Sequence, residues 1–343
     1  MIRMAAKTYV DLKSEVWESG KCSGCGGCVA VCPADAITFP GKGDNSAPVQ
    51  SGYCKQETDG VSCGACYAVC PRVLAPTTET LGEYLEIVAA KSRADIPRRQ
   101  SGGAVTAILM HALNTGMIDA VVTVGEDRFT LRPASVVITS SEQLVHEAGS
   151  RYSWWVPLLA ALKTAVIKRK YKKIAIVGVP CVVQAISRIR SSDHDLLLPY
   201  AKAIRLVVGL FCTETFDYDA LVEKKLKSEH HIATWEIKKL DVRGKLVITM
   251  NDGNVFSFPM KELDDAVRRG CHFCTDATSL FSDLSAGSVG SPEGYTTLIV
   301  RNPVGKFFVD NAVTAGILET GGDIDKEAIE KLAGNKIKKN SNT

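Results

Sequence analysis

The sequence predicts two fold classes in one chain, a small α+β module followed by a larger α/β domain with a mainly parallel sheet. The first prediction depends on eight cysteines that form two short runs within the first eighty residues. The second depends on apolar strand patterns that alternate with helical patterns from about Leu81 onward. We expect residues 1–80 to form the module, 81–325 the large domain, and 326–343 a carboxyl-terminal helix and a polar tail that is mobile from Lys336.

Composition excludes several classes of protein. The net charge of the 343 residues is only +3, whereas dedicated nucleic-acid binders carry a large, clustered basic excess, so we expect no nucleic-acid partner. The first ten residues lack the apolar core of a secretion signal, and no apolar stretch reaches the roughly 18 residues of a membrane span. We therefore expect a cytoplasmic chain that reaches the inner face of a membrane only through partner subunits. Twelve cysteines in a reducing compartment indicate metal ligands rather than disulfides.

The two cysteine runs of the amino-terminal module have the spacing of bacterial ferredoxins. They read Cys22-x2-Cys25-x2-Cys28-x3-Cys32-Pro33 and Cys54-x8-Cys63-x2-Cys66-x3-Cys70-Pro71. In that pattern, three closely spaced thiolates and the last cysteine of the other run bind each 4Fe-4S cluster. We therefore predict a ferredoxin-like module with two clusters, one on Cys22, Cys25, Cys28 and Cys70, the other on Cys54, Cys63, Cys66 and Cys32.

The residues around these cysteines support the prediction, with one departure. Glycines beside the cysteines allow the tight turns that aim backbone N–H groups at sulfide: Gly24, Gly26, Gly27 and Gly64. Eight residues, 55–62, separate the first two cysteines of the second run, where the usual pattern has two. We expect this insertion to form a loop. The alternative is a pair of zinc sites, but these use paired Cys-x2-Cys knuckles rather than the observed run.

Five apolar stretches of the large domain are typical of buried strands: 84–90, 118–124, 134–139, 173–179 and 204–211. Helical patterns lie between them at 101–114, 153–167 and 182–190. This alternation predicts a parallel α/β sheet. Three later stretches, 245–250, 255–258 and 297–301, indicate an added strand-rich part. The one G-x-G-x-x-A string, 41–47, lies between the cluster motifs and opens no helix, so we do not expect a Rossmann fold.

A candidate phosphate site opens the first of these helices. Ser101, Gly102 and Gly103 follow a loop and directly precede an apolar helix, with Thr106 in its first turn. Small residues at a helix start leave backbone N–H groups free to face an anion. A helix that is simply capped by a serine explains the same residues without a ligand, and the pattern alone does not decide between the two.

The remaining four cysteines are Cys181, Cys212, Cys271 and Cys274. Cys181 and Cys212 each follow a predicted strand, and the carboxyl ends of parallel strands are where open α/β sheets hold ligands. Together with the Cys-x2-Cys pair at 271–274 they supply four thiols, enough for a third 4Fe-4S cluster. Free buried cysteines, a redox-active pair and a zinc site are the alternatives, because such long separations carry little motif information.

Five segments of the large domain resemble the family of coenzyme F420 hydrogenase/dehydrogenase beta subunits. They are SGGAVTA (101–107), GSRY (149–152), VGVPCVVQ (177–184), GLFCTETF (209–216) and RGCHFCTDATSLFSDLSAGSVGSPEGYTTLIVR (269–301). The resemblance covers about residues 81–320, with the segments in the family's order. With the ferredoxin module in front, the chain is similar to the electron-input subunits of archaeal F420H2 dehydrogenases, which feed a membrane complex that reduces a quinone or a phenazine.

The resemblance implies an α/β flavoprotein domain that binds FAD, a third 4Fe-4S cluster on the four remaining cysteines, and a deazaflavin substrate. It assigns the FAD phosphates to Ser101, Gly102, Gly103 and Thr106. A second candidate group is Ser150, Arg151 and Tyr152, with Arg151 for the pyrophosphate and Tyr152 for a ring. Residues expected to face the isoalloxazine or a ribose are Pro180, Thr213, Glu214 and Asp276, although Asp276 could instead cap a helix. No catalytic side chain is implied, because the cofactors carry the redox chemistry.

Six basic residues gather at the end of the helical pattern 153–167 and in the loop that follows. They are Lys163, Lys168, Arg169, Lys170, Lys172 and Lys173. A solvated helix terminus explains them, since cations suit the helix dipole there. The alternative is a landing surface for the polyanionic tail of the deazaflavin or for an acidic partner.

The function expected from these features is oxidation of reduced coenzyme F420 by hydride transfer to FAD. Single electrons then pass through the 4Fe-4S clusters to a partner complex, a membrane quinone or phenazine reductase. One alternative is a reductase of an organic ring that is driven by ferredoxin, as in chlorophyll-type reductases. Another is an electron relay without catalysis, whose large domain only docks between partners.

Overall fold

The computed structural model describes residues 6–40, 47–149, 156–242 and 244–341. Its amino-terminal module is built from short helices and one small antiparallel sheet. The helices are α1 (Tyr9–Leu12), which continues as a π-helical turn (Lys13–Trp17), α2 (Gly27–Val31), α3 (Lys55–Asp59), α4 (Ala65–Val69) and a 3-10 turn (Pro71–Val73). The strands β1 (Ile37–Thr38) and β2 (Val49–Gln50) pair antiparallel.

Two glycines fix the turns that begin α2 and α4. Gly26 and Gly64 have φ angles of 80° and 87°, in the left-handed region that favours glycine. A Cβ atom at Gly26 would lie 2.8 Å from the carbonyl oxygen of Pro157, and one at Gly64 would lie 2.9 Å from that of Lys7. Both positions therefore need glycine for backbone conformation and for close packing.

Within its described residues, the large domain contributes eleven strands to two sheets. In chain order they are β3 (Glu86–Ser92), β4 (Ala120–Glu126), β5 (Pro133–Ile138), β6 (Ile174–Gly178), β7 (Ile204–Leu210), β8 (Ile237–Val242), β9 (Lys245–Met250), β10 (Val255–Pro259), β11 (Leu284–Gly287), β12 (Thr296–Val300) and β13 (Leu318–Thr320). The five strands predicted between 84 and 211 all form, each within about two residues of the predicted bounds.

The central sheet has eight strands in the order β13-β3-β12-β11-β7-β6-β4-β5. Its four inner strands β11, β7, β6 and β4 are parallel neighbours, while the pairs toward both edges are antiparallel. Five of the eight strands run in one direction. The sheet was predicted to be mainly parallel and is in fact mixed. It is parallel at its inner strands, which are the strands that lead into the loops with cysteines.

The second sheet is the added strand-rich part, an antiparallel meander in the order β10-β9-β8. The prediction for 297–301 was wrong on one point, because β12 lies inside the central sheet between β3 and β11. The meander also reaches the candidate phosphate loop. The Nε2 atom of Gln100 donates hydrogen bonds to the Leu240 carbonyl at 3.0 Å and to Asp241 Oδ1 at 2.9 Å.

The large domain has helices on both faces of the central sheet and further helical segments elsewhere. They are α5 (Ala104–Asn114), α6 (Ser141–His146), α7 (Ala160–Lys163), which continues as a π-helical segment (Thr164–Lys168), α8 (Pro180–Arg190), α9 (Leu198–Ala203), a π-helical segment (Asp219–Glu229), 3-10 turns (Thr234–Glu236, Met260–Ala266, Arg269–Phe273), α10 (Pro303–Thr314) and α11 (Lys326–Asn340). One apolar core joins α5 and α10 to one face, and a second joins α7, α8 and α9 to the other.

The ferredoxin-like module packs into the second of these cores. Ala30, Val31, Ala65 and Val69 are buried in the same cluster as the residues of α7 and α8. Hydrogen bonds cross the boundary as well: Tyr200 Oη donates to the Ala30 carbonyl at 2.6 Å. The sequence suggests a module placed outside the large domain. In the structure the two share a core, so removing residues 1–80 would expose apolar surface of the large domain.

The carboxyl-terminal segment also differs from the prediction. We expected a mobile polar tail from Lys336, but the structure continues α11 to Asn340. Four residues of this helix, Ile329, Ala333, Lys336 and Asn340, are buried. Their spacing of three and four residues places them on one face, which packs onto the domain.

Candidate iron–sulfur and cofactor sites

The structure brings together the thiols of Cys22, Cys25, Cys28 and Cys70, here called the first ferredoxin group. Burial raises the pKa of Cys22 to about 11 and that of Cys70 to about 12. The pKa of Cys28 lies well above its ordinary value because of burial and because the other three thiols are close. The backbone N–H of Gly27 donates to Cys25 Sγ at 3.5 Å. Four thiols from two separate runs thus share one apolar site.

The second ferredoxin group consists of Cys32, Cys54, Cys63 and Cys66, whose side chains all line one pocket near the surface of the module. Burial raises the pKa of Cys66 to about 12, and the neighbouring thiols of Cys63, Cys32 and Cys54 contribute to that rise. Tyr9 and Tyr53 line the same pocket.

The insertion in the second run does not form the predicted loop. Residues 55–59 make the helix α3, which Gly60 ends in the left-handed conformation with a φ of 69°. The side chain of Gln56 in this helix accepts a hydrogen bond from the backbone N–H of Cys63 at 2.9 Å. The extra residues therefore fold back on themselves and return Cys63 to the pocket beside Cys54.

The donor sets of both groups fit 4Fe-4S clusters. All eight thiols are free, and burial makes an uncompensated thiolate costly, so bound iron would supply the missing positive charge. Among the described residues, no three His, Cys, Asp or Glu side chains converge closely enough to hold one metal ion. A 4Fe-4S cube holds its thiolates farther apart, because each binds a different iron. The role of these cysteines as cluster ligands stays a prediction.

The core group, Cys181, Cys212, Cys271 and Cys274, lies at the carboxyl edge of the inner strands. Cys181 is in the first turn of α8 just after β6, and Cys212 follows β7. Burial raises the pKa of Cys212 to about 12, and the nearby Cys271 and Cys274 thiols add to the effect. The pKa of Cys181 lies well above its ordinary value, mainly through burial, with Cys274 and Cys212 contributing.

Two buried cations lie beside the core group, and one of them, Arg72, also lies beside the first ferredoxin group. Lys336 of α11 is 5% exposed, and its ammonium donates to the carbonyls of Cys212 and Asp276, both at 2.7 Å. Arg72 approaches from the module. Although burial raises the pKa of Cys274, the charges of Lys336 and Arg72 outweigh it, so the pKa lies below its ordinary value. These two cations therefore favour ionisation of the Cys274 thiol.

Helix α11 also fixes the Cys-x2-Cys loop. Asn340 Nδ2 donates to the carbonyls of Cys271 at 3.1 Å and of Cys274 at 2.7 Å. Sequence reasoning missed both Lys336 and Asn340, because they lie in a stretch of polar residues. The signal that could have found them is the helical spacing that places them on one face with Ile329 and Ala333.

The candidate phosphate turn lies at the same edge of the sheet as the core group. Ser101 has a φ of 46°, unusual for a residue other than glycine, and Gly103 has a φ of 69°. Helix α5 begins at Ala104 without a side-chain cap, so no capping side chain occupies the N–H groups of its first turn, which includes Thr106. The turn fits an anion such as a cofactor phosphate.

The structure gives Gly102 a packing role, while its predicted phosphate role stays a prediction. Its N–H donates to Thr296 Oγ1 at 3.1 Å, and a Cβ atom on it would lie 2.4 Å from the Ala90 carbonyl oxygen. Gly102 is therefore required for packing against β3 and β12. This packing accounts for the glycine without any ligand.

The other predicted cofactor contacts are spread around the core group. Pro180 is buried at the start of α8, and Thr213 is exposed after β7. Glu214 accepts a hydrogen bond from Lys339 at 2.8 Å. The buried carboxylate of Asp276 accepts from the backbone N–H groups of Thr278 and Leu280, at distances between 3.1 and 3.3 Å. These contacts hold the turn that follows Asp276, where the structure has no helix for it to cap. Ser150, Arg151 and Tyr152 lie outside the described residues.

The six basic residues predicted to form a cluster differ in their contacts. Lys163 donates to the Cys32 carbonyl and to Asp35 Oδ1, both at 2.5 Å, so it ties the large domain to the module. Lys173 donates to the Gly116 carbonyl at 2.8 Å. Lys168, Arg169, Lys170 and Lys172 are exposed. Within the described part of the chain, no helix combines the length and apolar character that crossing a bilayer requires.

Comparisons with protein families match almost the whole chain. Residues 21–73 match the 4Fe-4S dicluster domain. Residues 87–163 and 171–326 match the amino- and carboxyl-terminal models of the coenzyme F420 hydrogenase/dehydrogenase beta subunit.

Individual relatives agree with the family match. A subunit of the F(420)H(2) dehydrogenase of Methanosarcina mazei is 32% identical over 87% of this chain and 84% of its own. The coenzyme F420-dependent sulfite reductase of Methanocaldococcus jannaschii is 33% identical over 95% of this chain, which spans 50% of that longer relative. Among solved structures, a chain of the F420-reducing [NiFe] hydrogenase complex of Methanosarcina barkeri is 30% identical, with a TM-score of 0.72, over 78% of this chain and 94% of its own.

Proposed function

The chain belongs to the family of coenzyme F420 hydrogenase/dehydrogenase beta subunits, with a 4Fe-4S dicluster domain in front, and from this premise we propose that it oxidises reduced coenzyme F420. It is an F420-related oxidoreductase subunit with an iron–sulfur domain. FAD held by this chain would supply hydride acceptance from the deazaflavin, and 4Fe-4S clusters held by its cysteines would supply transfer of the two electrons one at a time. The chain's own residues would hold these groups in place.

The observation that carries the proposal is the contact between the core group and the module. The core group lies at the sheet edge where a bound flavin would be held, and the loop of Cys271 touches the loop of Cys22. A Cβ atom at Gly270 would lie only 2.0 Å from the Cys22 carbonyl oxygen. Cysteine groups thus follow one another from the sheet edge into the module. This arrangement supports three clusters in one relay.

The residues that would hold the FAD are those at the same sheet edge. The uncapped start of α5, with Ser101, Gly103 and Thr106, offers backbone N–H groups to its phosphates. Bound FAD would supply what neither a deazaflavin nor a 4Fe-4S cluster has, the ability to accept a hydride and to release single electrons. The chain's own contribution is to hold the phosphates and to keep the core group beside the sheet edge.

The partner is proposed from the relatives. The Methanosarcina mazei relative is a subunit of F(420)H(2) dehydrogenase, which supports a partner complex that receives electrons from reduced F420. From the family resemblance we propose that this complex reduces a membrane quinone or phenazine. The sulfite reductase relative favours a different acceptor, because it contains a similar chain within a longer reductase. In both cases this chain is the electron-input part. We propose a cytoplasmic location, with attachment to a membrane only through partner subunits.

The test is anaerobic reconstitution of the full chain with iron, sulfide and FAD, followed by mixing with reduced coenzyme F420 and a one-electron dye. We expect flavin bleaching first and dye reduction second, with two dye molecules reduced per deazaflavin. Flavin that stays oxidised while the clusters are intact would contradict the proposal. The alternative function, a reductase driven by ferredoxin, would then remain. Ferredoxin reduced with dithionite tests this alternative as the electron donor in the same cuvette. Failure of both donors would indicate the relay without catalysis.

A further inference from the structure

We infer that Arg72 is a positioning residue that couples the core group electrostatically to the first ferredoxin group. Electrons that leave the core group then enter the module at the first ferredoxin group and leave it at the second. This inference rests on the proposed function, because it needs the three clusters to be present.

Arg72 joins the two groups through the backbone. It stands two residues after Cys70, a member of the first ferredoxin group, in the 3-10 turn Pro71–Val73. Its two terminal nitrogens donate to the carbonyls of Phe273 and Gly270, each at 3.3 Å. These carbonyls belong to the residues that directly precede Cys274 and Cys271. One side chain therefore extends from a ligand turn of the module to both ligands of the Cys-x2-Cys pair.

The third nitrogen of Arg72 has no partner of its own. Its Nε atom is buried and makes no hydrogen bond within the described part of the chain. A buried N–H donor without an acceptor is costly, so it points to an acceptor that a bound cluster would supply. The Cys274 thiol, an expected ligand of that cluster, lies within hydrogen-bonding reach of the guanidinium.

The order of the groups follows from the contacts between their loops. The Cys22 carbonyl of the first ferredoxin group lies against Gly270, next to Cys271 of the core group, where a Cβ atom would be only 2.0 Å away. Cys28 of the first group lies in α2, and Cys32 of the second group ends the same helix. The second group lines a pocket that opens toward the surface near Tyr53, whose side chain is 40% exposed. The contacts therefore support an electron route from the core group to the first ferredoxin group and then to the second.

The charge of Arg72 has a definite effect on such a relay. A guanidinium stays protonated at every physiological pH, and at low dielectric its field favours the more negative, reduced form of a nearby cluster. Each step moves one electron, oxidises the donor cluster by one unit, reduces the acceptor by one unit, and makes or breaks no bond. Arg72 is placed to raise the reduction potentials of both clusters that it lies between, but not that of the third.

Other charges around these groups are arranged differently. Lys336 approaches the core group from α11 rather than from the module. Arg268 lies near Cys271 and Cys22, but Asp217 lies near it and offsets its charge. Arg72 is the cation that extends from the module and hydrogen-bonds into the core loop.

The experiment compares Arg72→Met, Arg72→Lys and the control Arg205→Met, all in the full chain reconstituted anaerobically. Arg205 is exposed at the amino end of β7, the edge of the sheet away from the core group. Iron and sulfide are measured first, and about twelve irons per chain are expected for each protein. A redox titration followed by electron paramagnetic resonance then gives the potential of each cluster. If Arg72→Met loses iron, Arg72→Gln, which keeps a donor for one carbonyl, replaces it.

We expect Arg72→Met to lower the potentials of two clusters and to leave the third unchanged. The ratio of reduced to oxidised cluster at a fixed potential should fall about tenfold for those two, which corresponds to about 59 mV for a one-electron couple. Arg72→Lys and Arg205→Met should stay close to the original protein. Three unchanged potentials at full iron content would overturn the inference, and so would an equal shift in Arg72→Lys. Only about eight irons in the original protein would instead refute the core cluster of the proposed function.

Discussion

Replacing Lys336 by Met removes a buried cation from the core group while keeping a side chain of similar length. The ammonium makes two hydrogen bonds of 2.7 Å, to the carbonyls of Cys212 and Asp276. Each carbonyl left without a donor costs about 1–3 kcal/mol, and removing one partner of a buried charged group costs about 3–5 kcal/mol. Relief from burying the ammonium offsets part of this. We therefore expect the free energy of unfolding to fall by about 3 kcal/mol.

Urea denaturation of the apoprotein under reducing conditions measures this change. With an m value of about 3 kcal/mol/M, the midpoint should fall by about 1 M. The reconstituted variant should also lose its core cluster selectively, since the charge that lowers the pKa of Cys274 is gone. About eight of twelve irons should remain after gel filtration with a chelator.

Lys338→Met is the matched control, because Lys338 lies in the same helix and is exposed. It should leave both the midpoint and the iron content unchanged. The reasoning is refuted if Lys336→Met keeps about twelve irons and unfolds at the same urea concentration as the control. Equal destabilisation by the two variants would show that helix α11, rather than the buried ammonium, determines the effect.

Three further predictions follow from the same contacts. Cys271→Ala should reduce iron from about twelve to about eight per chain, and an unchanged count would exclude the core cluster. Gly102→Val should lower the urea midpoint of the apoprotein even without flavin, since its Cβ would lie 2.4 Å from the Ala90 carbonyl oxygen. A lower midpoint only in the presence of FAD would instead indicate that Gly102 acts by contacting the FAD phosphates. Burial raises the pKa of Tyr200 from 10.0 to about 12. The contribution of its protonated hydroxyl to the free energy of unfolding is therefore full below pH 10 and is lost as the pH rises through 12. Tyr200→Phe should flatten that loss in urea titrations, and an unaltered profile would contradict it.

The large domain shows which parts of the fold follow from the sequence. The strands β3 to β7 were predicted within about two residues, because each is a short apolar run with turn residues at both ends. The stretch 297–301 was assigned to the wrong sheet, since a strand's own residues do not say which neighbour it pairs with. The insertion between Cys54 and Cys63 was predicted as a loop, whereas its own residues form the helix α3 ended by Gly60.

The candidate sites show the same division. Sequence spacing alone indicated the two ferredoxin groups, because their ligands lie within a few residues of one another and the motif is local. It also identified Cys181 and Cys212 as strand-end cysteines. It gave no indication of Lys336, Asn340 or Arg72, whose roles depend on elements far apart in the chain.

What the sequence by itself determined is the set of cysteines, the approximate strands, and the family. These are encoded in short-range spacing and in apolar periodicity, which each segment carries alone. Only the tertiary structure decided that the module shares a core with the large domain and that α11 closes over the core group. It also placed a guanidinium between two cysteine groups. Such features arise when distant segments bury their surfaces together, and the burial of Lys336 depends on that packing rather than on its neighbours in sequence.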